Sequence, residues 1–184
     1  MATTLLSEEA GYRLKQAQMP DGKMVELKVP VLGEPSISVA RAAQIETDYD
    51  HSILGATYGM MSGSLPQRLY SLAAVEDFMR KPEGVADPLQ VQFEKIGYVD
   101  LGVLADWIDK TIEDHELATA IREVNAQESI FGKAMPFIKE LLQERLAAYR
   151  QVLAEVDGVS ESSENDEEST GPAMQDEVSE DTEA

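Results

Sequence analysis

The sequence predicts a mainly α (α+β) fold: a compact multi-helix domain with a small N-terminal β-hairpin and a disordered acidic C-terminal tail. Three observations lead there. Apolar residues recur at spacings of three and four through most of residues 38–156. Before them, two alternating segments flank Pro20-Asp21-Gly22. After them, residues 157–184 hold eleven acids and no lysine, arginine or histidine. Spacings of three and four line one face of a helix, whereas alternation lines one face of a strand.

Residues 12–29 read as the hairpin, because Tyr12-Arg-Leu-Lys-Gln-Ala-Gln and Lys23-Met-Val-Glu-Leu-Lys-Val alternate across strong turn chemistry. Pro30, Gly33 and Pro35 then interrupt regular structure. A helix is expected from about Ser38, running to Tyr49 or on towards Leu54, with Val39, Ala42, Ala43 and Ile45 on its apolar side. Gly55, Gly59 and Gly63 recur every fourth residue, which suits either a helix-packing stripe or a loop. Ser64-Leu65-Pro66-Gln67 has the form of a capping box, and Leu65, Leu69, Leu72, Val75 and Met79 follow at helical spacing.

A short helix is expected to begin after Asp87-Pro88 and to end at Gly97. Asp100 caps the next, with Leu101, Leu104, Ala105, Ile108 and Ile112 as its stripe, and Asp114 recaps a further piece carrying Leu117, Ile121 and Val124. The last helix, from Pro136 to about Val156, places Ile138, Leu142, Leu146, Tyr149 and Leu153 on one face. The expected organisation is one folded domain over 1–156 (hairpin 12–29, helical 38–156), followed by the tail at 157–184. That tail cannot bury enough apolar surface to offset its ordering entropy.

Composition narrows the function. With no cysteine, disulfides, thiolate zinc sites and thiol nucleophiles are excluded. A formal charge of −20 opposes adhesion to nucleic acid or anionic lipid. No apolar run approaches the roughly 18 residues that span a bilayer. The opening residues carry no basic, apolar leader. A cytoplasmic protein is the expectation, with neither membrane nor direct nucleic-acid binding.

Chemistry-bearing clusters are few. Asp48 and His51, with Glu46 and Asp50 beside them, are the candidate metal ligands, but no second acid-x-x-His pair supports a di-metal site. Asp106, Asp109 and Glu113, near Asp114 and Glu116, read as a solvated helix face. No nucleophile motif accompanies the two histidines, so no catalytic residue and no cofactor is expected. The chain reads as a non-enzymatic assembly factor of adaptor, scaffold or chaperone type, an accessory virus-assembly protein being one such role. The acidic tail would keep it soluble, and its partners would be proteins, including a second copy paired through the last helix. Ile138, Leu142, Leu146, Tyr149, Leu153 and Trp107 are the partner-binding candidates. An acidic DNA mimic and a carboxylate–histidine metal protein are the alternatives.

Overall fold

A computed structural model describes residues 3–9, 11–59, 63–79 and 95–163. Among them are two three-stranded antiparallel sheets and five helices, an α+β arrangement. The first sheet is β1 (Thr3–Glu9), β2 (Tyr12–Gln18) and β3 (Met24–Pro30), in that spatial order. After α1 (Ile37–Ala42), the chain forms β4 (Ile53–Gly59) and β5 (Gly63–Leu69). Helix α2 (Leu72–Phe78) and strand β6 (Lys95–Val99) follow, and the second sheet has the order β5-β4-β6. Helix α3 (Leu101–Trp107) runs on into a π turn over Ile108–Ile112, and α4 (His115–Gln127) and α5 (Phe131–Ser163) complete the fold.

The expected hairpin is present, with Gln18 paired to Met24 and Tyr12 to Pro30. The facing of β2, unlike that of β3, is the reverse of its apolar alternation. Arg13 and Lys15 point inward and Lys15 is buried, while Tyr12 stands on the outer side. The reason lies on α5, where Glu140 and Glu144 meet them: Lys15 Nζ lies 2.9 and 3.1 Å from the two carboxylates, and Arg13 Nη1 lies 2.7 Å from Glu144. On the same inner side, Thr3 of β1 hydrogen-bonds to Glu140. Val25, Leu27 and Val29 of β3 supply the apolar part of this face.

Several expectations are corrected. The helix expected from about Ser38 begins at Ile37 and is only six residues long, capped by Ser36, whose Oγ accepts from Val39 N–H at 3.4 Å. Gly55, Gly59 and Gly63 belong to the β4–β5 hairpin and are neither a helical stripe nor a loop. The supposed capping box at Ser64 lies inside β5; α2 starts at Leu72, capped by Ser71, whose Oγ accepts from Ala74 N–H at 3.2 Å. Residues 95–97 are strand rather than helix end, and the rest of the helix expected after Asp87 lies outside the described residues. The β content is therefore larger than a single hairpin. Helix α5 extends at both ends beyond 136–156, with Pro136 inside it, and it continues past the expected boundary at Asp157 to Ser163. Residues 164–184 lie outside the described residues.

Helix α5 is the spine of the molecule. At 33 residues it is about 50 Å long, and it packs against α1, α2, α4, β1 and β2. Phe137, Ile138, Leu141, Leu142 and Tyr149 are buried along it and meet Leu104, Ile108, Leu117 and Ile121 in one core. No helix among the described residues is long and apolar enough to cross a membrane.

Candidate interaction surface

The partner-binding candidates of the last helix are core residues in the folded monomer. Ile138, Leu142, Leu146 and Tyr149 are buried, Leu153 is half-buried against them, and Trp107 is buried with its Nε1–H donating to the His51 carbonyl at 2.6 Å. Their amphipathic spacing is satisfied inside the chain, and of the six only Leu153 keeps part of its surface exposed. The Asp48–His51 pair is not on a helix. It forms an exposed turn in which Asp48 Oδ1 accepts from the His51 backbone N–H at 3.0 Å and lies 2.7 Å from Nδ1. The His51 ring bond first, and the backbone bond after it, hold the Asp48 carboxyl below its ordinary value. Among the described residues no three histidine or acidic side chains converge as metal ligands.

The acids near α3 and α4 are mostly engaged. Asp106 and Asp109 flank Arg122 at 2.8 and 2.9 Å, and Asp109 also holds His115. Asp114 does more than cap α4. Its carboxylate accepts from the Leu117 N–H at 3.0 Å, from Arg145 Nε and Nη2 at 2.6 and 2.9 Å, and from the Tyr149 hydroxyl. Arg145 in turn donates from Nη1 to the Gly33 carbonyl at 2.6 Å. Burial pushes the Asp114 carboxyl up, but the hydrogen bonds from Arg145, Leu117 and Tyr149 outweigh it and hold the group low. Burial and the Asp114 carboxylate together push the Tyr149 phenol up. This clasp ties α4, α5 and the loop after β3 together. A cleft of about 380 Å³ beside it is lined by Arg13, Gly33, Glu144, Arg145 and Gln151, whose charges are already paired with one another or with Asp114.

A different surface emerges from the register of the second sheet. Ile53, Leu69 and Val99 face the core, and Gly55 and Gly97 lie on the same side, pressed against Phe78 at the end of α2. The alternate positions face away: Leu54 opposite Arg68, and Ala56 between Pro66 and Tyr98. Leu54 is 56% exposed, and Pro66 is exposed beside it. One end of this face is closed by Tyr49, 61% exposed, with the Arg68 guanidinium 3.8 Å from its ring centroid. At the other end Tyr98 packs edge-on against Phe131, ring centroids 4.8 Å apart. Tyrosine and arginine amid aliphatic surface is the composition of interface hot spots.

No family model, no curated protein and no solved structure matches this chain.

The face therefore stands on its own geometry. The sequence pattern hides it, because Leu54 stands at the open end of the first expected helix while Pro66 and Arg68 fall in the helix expected after Ser64, where they share no side. Ile53 and Leu54 are apolar on opposite faces of β4 and Gly55 follows them, so no alternation marks the strand. A smaller cleft of about 230 Å³ opens where β5 meets α2, lined by Glu46, Arg68, Leu69, Tyr70, Asp77 and Phe78.

Proposed function

We propose that this chain is a non-enzymatic interaction protein of the adaptor, scaffold or assembly-chaperone kind, and that the outer face of the second sheet is its recognition surface. One observation supports this above the others. In a chain with 35 acids, the described side chains of that face include no acid, and Leu54 and Tyr49 stand more than half exposed on it. Exposed apolar surface framed by aromatic and arginine side chains marks binding sites more often than bare solvated surface. The DNA-mimic reading gains no separate support, since Asp106 and Asp109 share Arg122 and Asp114 is buried against Arg145.

The test compares proteins captured by full-length chain with those captured by Leu54→Asp and by Val103→Asp, the latter a control at an exposed apolar residue on α3. A partner lost with Leu54→Asp and kept with Val103→Asp is the expected result, with unchanged melting of both variants. A partner that both variants retain places recognition elsewhere. If no partner is captured by any form, the interaction reading fails.

A further inference from the structure

Resting on that reading, we infer that the partner of this face is a protein segment presenting apolar side chains with a single carboxylate among them, which Arg68 receives. Arg68 is the one charged residue among the described side chains on the outer face, directly across from Leu54. Its guanidinium lies over the Tyr49 ring, 3.8 Å from the centroid, and Nη1 donates to the Tyr49 carbonyl at 3.3 Å and to Ser52 Oγ at 2.9 Å. A guanidinium has five N–H donors in a fixed fork. Among the described residues, Nε and Nη2 of Arg68 find no acceptor, and no carboxylate lies within 4.0 Å of the group.

Arg68 shares the lack of a carboxylate with Lys28, Arg41, Lys110, Lys139 and Arg150 among the described residues, and differs from them in being anchored over the Tyr49 ring on an apolar face. Arg13, Lys15, Arg122 and Arg145 all meet carboxylates of the same chain. A stacked, half-buried guanidinium loses little freedom on binding and suits bidentate capture of a carboxylate.

Two features shape the partner further. Pro66 has no N–H to offer and sits in β5, an edge strand, which blunts that edge against strand addition. Recognition therefore works through side chains on the face. Glu46 and Asp77 line the cleft beside Arg68, and the whole chain carries −20. Both disfavour an acidic tract, so one carboxylate set among apolar groups fits where a polyanion does not.

The probe is a library of random twelve-residue peptides displayed on phage and selected on immobilised full-length protein. The expected winners combine apolar residues with one aspartate or glutamate. As synthetic peptides they should bind Arg68→Gln at least tenfold more weakly than wild type. Arg68→Lys should also bind weakly, because an ammonium cannot reproduce the stacked fork. Replacing the peptide's acid by its amide should cost little further in Arg68→Gln, which establishes that the two groups couple. Melting curves identify any variant that has not folded, and Arg68→Lys preserves charge should Arg68→Gln fail. Winners without an acid, or equally bound by Arg68→Gln yet lost with Leu54→Asp, overturn the carboxylate while leaving the surface in place. Winners indifferent to both substitutions, or no winners at all, overturn the surface as well. Binding that appears only when residues 164–184 are removed makes the chain's own tail the occupant and overturns the inference.

Discussion

Asp114 serves four donors from one buried carboxylate, and two residues distant in sequence depend on it. Removing it leaves the Arg145 charge buried without its main counterion, since the remaining carboxylate, Glu116, is 3.3 Å away and half-exposed. Breaking a buried pair from one side typically costs about 3–5 kcal/mol. Asp114→Ala should therefore lower unfolding free energy by that order in urea titration, and Asp114→Asn by less, since the amide oxygen still caps Leu117. The pH dependence has a definite sign. The folded carboxyl lies below its unfolded value of about 3.9, so its contribution is complete above that pH and is lost as pH falls through the folded value. The stability gap between wild type and Asp114→Asn should be constant near neutrality and should narrow only below about pH 4. A gap that is already closing between pH 7 and pH 5 would place the decisive titration elsewhere. The capping role of Asp114 was legible in the sequence, because it depends on residues three positions away. The partnership with Arg145, 31 residues on, was not, since no local spacing encodes it.

At the level of elements, the second sheet depends on two missing β-carbons. A Cβ on Gly55 would come 2.6 Å from a ring carbon of Phe78, and one on Gly97 would overlap the Phe78 carbonyl oxygen. The ring of Phe78 can rotate away, whereas its backbone cannot. Gly55→Ala should thus cost about 1–3 kcal/mol as ordinary overpacking, and Gly97→Ala more, with α2 displaced from the sheet. Equal costs, measured by chemical denaturation, would mean that the helix end moves as freely as the ring. The same glycines explain why this sheet was hidden from sequence reading. Glycine and proline are depleted in strands, so a segment with Gly55, Gly59, Gly63 and Pro66 looks like punctuation. Leu65 and Leu69 are four apart, which places them on one face of a strand as well as a helix, and the run into Leu72, Val75 and Met79 tips the pattern to helix. Strand β1 was hidden for another reason: the register shift between Leu5 and Ser7 breaks its alternation. The β2–β3 hairpin and the α3 and α4 starts were legible because a turn and two aspartate caps announce them locally.

For the molecule as a whole, charge is unevenly placed. Residues 164–184 carry nine acids and no base, so ending the chain at Ser163 changes the formal charge from −20 to −11. The described part ties its ionic groups among its own elements: α5 to the first sheet, α4 to α3, and Arg145 to Asp114. None of these bonds involves the removed acids. Truncation should therefore leave the melting midpoint nearly unchanged at 0.15 M salt, where the screening length is about 8 Å. At 0.01 M salt that length grows to about 30 Å, repulsion among the carboxylates reaches the folded part, and the shorter chain should melt higher than the full one. Calorimetry of both chains at the two salt concentrations decides it. A midpoint that drops by several degrees in both buffers on truncation would mean that the acidic segment packs against the folded part, and solubilisation would no longer account for it.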